Sequence, residues 1–169
     1  ATEPTIVLAK SRGSADSPTV VNSADILGGI RFAGYDGSDY VTQGASIICA
    51  VDGAPGSNDM PGRLTFNTTA DGASTPSERV RIDSSGKVGI NINNPGSYNS
   101  AGNELVLGNT GNNGGMTIVS GTGNNGHIFF ADGTGTPNRG IIKYEHANDA
   151  FAFNTADNER LRITSTGGV

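Results

Sequence analysis

The sequence predicts an all-β fold: two tandem modules of short antiparallel strands joined by Gly- and Asn-rich turns. Runs of β-branched and apolar residues, several alternating with polar ones, recur at the spacing of short strands. Asp-Gly and Pro-Gly dipeptides separate these runs, and Gly or Asn interrupts almost every window long enough for a helix. In addition, residues 77–82 (SERVRI) return as residues 158–163 (NERLRI), with Glu78 and Glu159 lying 81 positions apart. The repeat predicts one module built twice.

Six strands are predicted in the first module, which we place at residues 1–92. Each is a short run of strand-forming residues, and several alternate between apolar and polar side chains. In chain order, the predicted strands cover residues 5–9, 26–33, 45–51, 64–68, 80–83 and 87–92. Asp36-Gly37 and Ser85-Gly86 are among the turn signals between them, because Asp and Gly adopt turn conformations that most residues avoid.

Residues 93–102 show no periodicity and are predicted to be a linker. The second, shorter module is placed at residues 103–169. Its predicted strands cover residues 105–108, 116–120, 127–131, 140–144 and 150–153, followed by the repeated strand 158–163. Gly167 and Val169 repeat the Gly-x-Val of the first copy, which continues further at that point. We therefore expect the second module to be incomplete at its C-terminal end and the chain to be part of a longer protein.

Side-chain alternation assigns two faces to the repeated strand. Arg79 and Arg81 are expected on one face and Val80 and Ile82 on the other, because side chains of a strand point alternately to opposite sides. We expect the apolar face to enter a core and the arginine face to meet carboxylates of its own chain or of a neighbour. The alternative is a solvated face with weak surface pairs. The candidate ion-pair residues, within the chain or between neighbouring chains, are Glu78, Arg79, Arg81, Glu159, Arg160 and Arg162.

The composition favours a core that is shared between chains. Only 34% of the residues are hydrophobic and 6% aromatic, so a monomer would bury little surface to offset the entropy lost on ordering. The apolar residues are nevertheless patterned, which favours ordered strands completed by an oligomer over disorder. A net charge of −5 argues against nucleic-acid binding, and no apolar run is long enough for membrane insertion.

An ordered set of motifs resembles a repeat module of bacteriophage tail fibres and side fibres. That module has a Phe-containing strand, an Asp-Gly turn, Thr-Pro, Glu-Arg-(apolar)-Arg-Ile-Asp, a Ser-Gly turn and Val-Gly-Ile-Gly before a proline. The matching features here are Phe66, Asp71-Gly72, Thr75-Pro76, Glu78–Asp83, Ser85-Gly86, Val88–Ile90 and Pro95. Asn91 stands in place of the last glycine. Further likeness lies at residues 9–13, 34–37, 51–53, 130–133, 139–140 and 144–146.

The resemblance implies a structural segment of a phage tail fibre, extending the appendage that mediates host attachment. It implies a homotrimer with a shared core, located in the virion and extracellular after release. The implied partners are other tail or fibre proteins and a glycan or protein receptor on the host cell. In such fibres the module often stands upstream of a C-terminal self-cleaving intramolecular chaperone domain, which is not among these residues.

Two other function classes stay open. Tyr35, Asp36, Asp39 and Tyr40 lie in one polar loop, and tyrosine rings with carboxylates suit sugar recognition, which would make the chain a carbohydrate- or receptor-binding adhesin. A tailspike polysaccharide depolymerase would instead use paired carboxylates. The carboxylates here lie in Gly-rich turns, and ordinary turn chemistry already accounts for them. We therefore expect no enzyme, no catalytic residue, no metal and no cofactor.

Overall fold

The computed structural model describes residues 3–135 and 139–169. Within them the extended elements are all β-strands, and the one helical element is a short 3₁₀ turn at Pro95–Ser97. The all-β fold predicted from the sequence is therefore confirmed. Contacts divide the chain into two units, Ala1–Gly115 and Met116–Val169, and each unit contains one main sheet.

The first unit contains a six-stranded sheet and a separate two-stranded hairpin. The hairpin pairs β1 with β2, and the sheet has the order β3-β4-β5-β6-β7-β8. Neighbouring strands of the sheet are antiparallel except for β7 and β8, which are parallel. The strands are β1 Arg12–Ser14, β2 Ser17–Thr19, β3 Ile26–Ala33, β4 Gln43–Val51, β5 Gly62–Thr68, β6 Ser77–Ile82, β7 Val88–Ile90 and β8 Leu105–Leu107.

The second unit contains a four-stranded antiparallel sheet. Its strands follow one another in the order β9-β10-β11-β12, as the first four strands of the larger sheet do. Short connections between sequential strands make this meander the simplest arrangement for such a chain. The strands are β9 Asn125–Phe130, β10 Gly140–Glu145, β11 Ala150–Thr155 and β12 Asn158–Ile163.

The sequence repeat is also a repeat of strand register. Phe66 of β5 pairs with Val80 of β6, and Phe153 of β11 pairs with Leu161 of β12. In both hairpins the register shifts immediately after the phenylalanine, so that the later strand carries one extra residue. A β-bulge of this kind re-aims the side chains beside it. Both copies of the module thus share a β-bulge at the same position as well as a similar sequence.

The turn that follows the repeated strand has the same geometry in both copies. The first turn residue donates its backbone N–H to the carbonyl of the fifth, over 3.0 Å at residues 83–87 and 2.9 Å at residues 164–168. The fourth residue is glycine at φ +81° in Gly86 and φ +80° in Gly167. Only glycine adopts this left-handed conformation without steric cost, which explains the repeated Ser-Gly and Thr-Gly pairs.

Two predicted strands are wrong. Among the described residues, segments 5–9 and 116–120 pair with no strand. Their composition favours a strand, but a strand also requires a neighbour for its backbone groups. Leu8 instead packs on Gly28 of β3, where an added Cβ would lie only 2.6 Å from the Leu8 Cβ. The strand predicted at residues 87–92 is also shorter and covers only β7.

The hairpin of β1 and β2 was not predicted from the sequence. Its strands have three residues each and contain Gly13 and Pro18, so no alternating pattern marks them. Gly13 has φ +78°, and an added Cβ would lie 2.3 Å from the carbonyl oxygen of Ser17 across the hairpin. The hairpin therefore depends on glycine at this position.

β8 begins the predicted second module but completes the sheet of the first unit. Val88 pairs with Leu105 and Ile90 with Leu107 in the parallel ladder. Residues 93–102 connect the two strands and contain the 3₁₀ turn. The division by contacts falls after Gly115, so the folded units are offset from the sequence modules. The boundaries 1–92 and 103–169 remain a prediction about the repeat.

Candidate functional site: the two faces of each sheet

One face of the six-stranded sheet carries an unbroken row of apolar side chains, one from each strand. Residues that are direct partners in a ladder point to the same side of a sheet, so the registers align these side chains next to one another. The alternation of β3, β5 and β6 places the polar residues of those strands on the opposite face. The apolar row consists of Ile30, Ile47, Phe66, Val80, Ile90 and Leu107.

A second apolar row lies beside the first on the same face. Its members are Cys49, Leu64, Ile82, Val88 and Leu105, with Gly28 at the β3 end. Both rows are open to solvent in the single chain: Ile30 is 56% exposed and Leu105 is 53% exposed. We call the two rows together the apolar face of the first sheet.

The four-stranded sheet has an equivalent apolar face. Its two rows contain Ile128, Ile142, Phe153 and Leu161, and then Tyr144, Phe151 and Ile163 with Gly126 at the β9 end. The rings of Tyr144 and Phe151 contact each other edge-on, with centroids 4.8 Å apart. Phe151 is 44% exposed and Leu161 is 40% exposed. Each of the two sheets therefore has one apolar face whose side chains are partly exposed.

The chain exposes far more surface than a folded monomer of its mass. In the described part, the buried hydrophobic side chains are small: Val21, Ala50, Val51, Ala150 and Ala152. The accessible area is 11764 Å², whereas a monomer of this mass exposes roughly 7,800 Å² and two separate globular units of these lengths roughly 9,300 Å². The excess of about 2,500–4,000 Å² is of the size that permanent subunit interfaces bury.

The opposite face of the first sheet is polar and is centred on Arg81. Its guanidinium contacts both carboxylate oxygens of Glu78, at 2.7 Å for Nε–Oε1 and 2.9 Å for Nη2–Oε2. A second carboxylate, Asp52, lies 3.8 Å from Arg81 Nη1 and accepts a 3.1 Å hydrogen bond from Arg63 Nη1. The Arg81 side chain is only 16% exposed, so solvent screens these charges less than at an open surface.

The polar face of the second sheet is centred on Arg162 in the same way. Its Nε and Nη2 donate to the two carboxylate oxygens of Glu159 at 2.8 and 2.7 Å. Arg162 also donates from Nη1 and Nη2 to Glu145 at 2.8 and 3.1 Å, and Lys143 Nζ lies 2.6 Å from Glu145 Oε1. The Glu145 side chain is 11% exposed. Each arginine therefore joins two carboxylates of its own chain.

The β-bulge brings the two residues of each bidentate pair onto the same face of the sheet. Residues three apart in a regular strand point to opposite faces, but the bulge places Glu78 opposite Asn67 and Arg81 opposite Thr65, which lie on one face. The uninterrupted alternation that we predicted for this strand is therefore wrong. Arg79 does not share the contacts of Arg81, and its Nε donates to the Thr68 hydroxyl at 2.9 Å. In the second copy, Arg160 is equivalent to Arg79, and its Nε donates to the Thr155 hydroxyl at 3.2 Å.

The sequence predicted the arginines and their nearest carboxylates but not the remaining partners. Lys143 and Glu145 lie on β10, two strands from β12, whereas Arg63 lies on β5, next to β6, and Asp52 follows β4. The two copies of the module do not share these charges. When the two sheets are aligned by their strand registers, Glu145 of the second sheet corresponds to Ala50 of the first. Comparing the sequences of the two copies therefore could not reveal these additional partners. Knowledge of the strand register would have been needed to identify them.

Hydrogen bonds lower the pKa of three carboxyls on the polar faces, those of Glu145, Glu159 and Asp52. Hydrogen bonds from Arg162, and then from Lys143 and Asn148, hold the pKa of Glu145 well below its usual range. The Arg162 hydrogen bonds also lower the pKa of Glu159. Burial alone would raise the pKa of the Asp52 carboxyl, but hydrogen bonds from Ser84 and Arg63 outweigh burial and lower it.

The loop between β3 and β4 brings together all four residues predicted for receptor binding. The rings of Tyr35 and Tyr40 contact each other at a centroid distance of 5.3 Å and are 61% and 69% exposed. Asp36 Oδ1 accepts the backbone N–H groups of Ser38 and Asp39 at 2.9 and 3.1 Å, and these hydrogen bonds lower its pKa. The carboxylate of Asp36 thus shapes the loop, while the two tyrosine rings lie open on its surface.

Two negative observations apply to the described residues, 3–135 and 139–169. No group of three or more His, Cys, Asp and Glu side chains there is arranged to hold a metal ion. No helix in that part has the length and apolar character that crossing a membrane requires.

Comparison with known proteins gives structural matches only. No family model matches the sequence, and no curated protein matches it. Among solved structures, the chain is similar to the carboxy-terminal domain of the bacteriophage T5 L-shaped tail fibre, with a TM-score of 0.53 and 11% identity. That alignment covers 98% of this chain and 85% of the other.

A second solved structure contains the same T5 domain together with its intramolecular chaperone domain. The TM-score is 0.54 at 12% identity, and the alignment covers 99% of this chain but 59% of the longer one. The fold expected from the sequence motifs, that of a phage tail fibre module, is therefore confirmed by structures that share very little sequence with the chain.

Proposed function

We propose that this chain is a structural segment of a bacteriophage tail fibre and assembles as a homotrimer. In the virion it would extend the appendage that carries the host-attachment surface, and its partners would be other tail or fibre proteins. The observation that carries the proposal is the exposed apolar face on each sheet, together with roughly 2,500–4,000 Å² of surface in excess of a folded monomer. The fold of the T5 tail fibre domain supports the same conclusion.

The assembly would supply the core that the single chain lacks. Fully burying one Ile, Leu or Phe side chain contributes about 1.5–3 kcal/mol, and three copies of each apolar face would place many such residues out of water. The polar faces have their charges paired within the chain at Arg81 and Arg162, so they need no partner chain. Neighbouring chains would therefore meet through the apolar faces.

The mass of the particle in solution tests the proposal. Light scattering of the purified chain should give about three times the mass of one chain. Ile30→Lys should reduce the particle to single chains, because Ile30 is in the apolar row and a lysine there would be buried in the trimer. Arg31→Gln is the matched control: Arg31 is adjacent, exposed and on the other face, so this variant should stay trimeric. A wild-type chain that is monomeric and melts cooperatively would refute the proposal.

A second candidate function is receptor binding by the β3–β4 loop. The observation that favours it is the exposed pair of rings at Tyr35 and Tyr40, because aromatic faces stack on the apolar faces of sugars. Tyr35→Ala and Tyr40→Ala should then abolish binding to host cells or to a glycan array without lowering the melting temperature. Asp36→Ala should weaken the same binding by loosening the loop that holds both rings. Unchanged adsorption in both tyrosine variants would rule the loop out.

We propose no enzymatic activity. A glycosidase needs one carboxylic acid whose pKa is raised so that it can donate a proton. The carboxyls of Asp25, Asp52, Glu145 and Glu159 are instead shifted downward by their hydrogen-bond partners. Release of reducing ends from host capsule or lipopolysaccharide by the purified chain would contradict this proposal.

A further inference from the structure

The two copies of the module differ at the outer edge of β12. In the first sheet, β6 is followed by β7 and β8, whereas in the second sheet no strand of the described residues lies beyond β12. The side chains at this edge are accordingly less covered: Arg162 is 34% exposed, while its counterpart Arg81 is 16% exposed. Leu161 is 40% exposed, while Val80 is half-buried.

The backbone of β12 is prepared for a further antiparallel strand. In the first sheet, the carbonyl of Arg79 accepts the N–H of Asn91 over 2.8 Å, and Arg81 pairs with Gly89. Residues two apart in an antiparallel strand direct their N–H and C=O groups to the same side. The equivalent groups in β12 belong to Arg160 and Arg162, and they lie on its open side. An open edge of this kind is a template for strand addition.

The turn after β12 already directs the chain back along this edge. Its hydrogen bonds and its left-handed glycine match those of the turn between β6 and β7. In the first sheet the strand that follows is apolar-Gly-apolar, Val88–Ile90, and its central glycine is buried. A Cβ on Gly89 would lie 2.4 Å from the Ile92 carbonyl oxygen, so the chain reversal after β7 requires glycine.

The strand that closes the first sheet is the first strand of the following module. β8 pairs in parallel with β7, and flanking backbone bonds from Val88 to Glu104 (2.9 Å) and from Gly108 to Ile90 (3.0 Å) extend the ladder. Its counterpart at the start of the first module is Ile6–Leu8, an unpaired segment in which Ile6 is 92% exposed. One copy of the module is therefore completed by the beginning of another.

We infer that the outer edge of β12 is an interaction surface for a strand pair of the β7–β8 type, in which the β8-type strand is the first strand of another repeat of this kind. An antiparallel apolar-Gly-apolar strand adds to β12, and a returning parallel strand, of which Ile6–Leu8 is the example in this chain, closes the sheet. Successive repeats are thereby joined by shared sheets. This inference concerns the joining of repeats along a chain, and it does not depend on the trimer.

Hydrogen exchange on an extended chain tests the inference. The complete chain is lengthened after Val169 by a second copy of residues 89–108, which carry the rest of a β7-type strand and a β8-type strand. The backbone amide of Arg162 should then exchange at least about tenfold more slowly than in the original chain, because it gains a ladder partner. Unchanged exchange at Arg162 would overturn the inference.

Two matched extensions test the β7-type strand and the β8-type strand separately. The first carries the substitution Gly89→Val in the added copy. The Val side chain should prevent docking, so β12 should exchange as in the original chain, and equal protection would overturn the requirement for an apolar-Gly-apolar strand. The second extension ends at the copy of Ile92 and lacks the returning strand. Full protection by this shorter extension would overturn the role of the β8-type strand. Neither result depends on whether the particle is trimeric.

Discussion

Gly89→Ala tests whether the strand that extends the first sheet needs a glycine. Gly89 is the buried centre of β7, and a Cβ there would lie 2.4 Å from the carbonyl oxygen of Ile92 and 3.1 Å from its Cγ2. The first contact involves backbone, so relieving it requires the chain reversal after β7 to move and the pairing with β8 to loosen. Overpacking of this kind costs about 1–3 kcal/mol, which the lower entropy of the unfolded alanine chain offsets by only about 0.4–1 kcal/mol.

Gly102→Ala is the matched control for this prediction. Gly102 has no atom within 4 Å of an added Cβ and lies outside the left-handed region. Its substitution should therefore stabilise the chain by about 0.4–1 kcal/mol. Urea unfolding followed by circular dichroism, at one fixed protein concentration, measures both variants. If Gly89→Ala is as stable as Gly102→Ala, the steric argument for glycine in β7 is refuted.

The remaining predictions concern the charged clusters and the tyrosine loop. Glu145→Gln should lower the free energy of unfolding by about 1.5–3 kcal/mol, because it weakens the charged hydrogen bonds from Arg162. Glu104→Gln is the control: its carboxylate is 77% exposed, so this substitution should lower the free energy of unfolding by only about 0–1 kcal/mol. Because Glu145 and Glu159 have folded-state pKa values below their unfolded ones, their contribution is present at neutral pH and is lost as the pH falls below about 4.3. Melting temperatures measured from pH 7 to pH 2 should show this loss, and Glu145→Gln should reduce it; a pH-independent melting temperature would contradict the pairing. Asp36→Ala should speed amide exchange in the β3–β4 loop while leaving the sheet protected, and unchanged exchange there would show that the carboxylate does not hold the loop.

Local patterns predicted the strands whose partners are close in the chain. The strands predicted at residues 26–33, 45–51 and 64–68 match β3, β4 and β5 closely, because an alternating pattern or a continuous apolar run marks each strand and turn residues separate them. The predictions failed at residues 5–9 and 116–120, whose composition is equally favourable. Pairing decides these cases: residues 105–107 have β7 as a neighbour and form a strand, whereas residues 5–9 have no such neighbour.

The residues of the candidate sites were likewise predictable only where they lie close together in the sequence. The four residues of the β3–β4 loop are close in sequence and meet in the structure as expected. Glu78 and Arg81 were both candidates for ion pairs, but their position on one face results from a bulge that alternation does not reveal. Glu145 was missed as a partner of Arg162, which is 17 residues away and two strands across the sheet.

The sequence by itself determined the strand composition, the turns and the repeat, because these depend on side-chain alternation and on the conformations open to Gly, Asn and Asp. It also determined that the chain is poor in apolar residues. Only the tertiary structure decided which apolar residues align into one face and that this face stays exposed. It also decided that β8, which lies within the predicted second module, closes the sheet of the first unit. The physical reason is that the ladder register sets these features, and register joins residues that are distant in the chain.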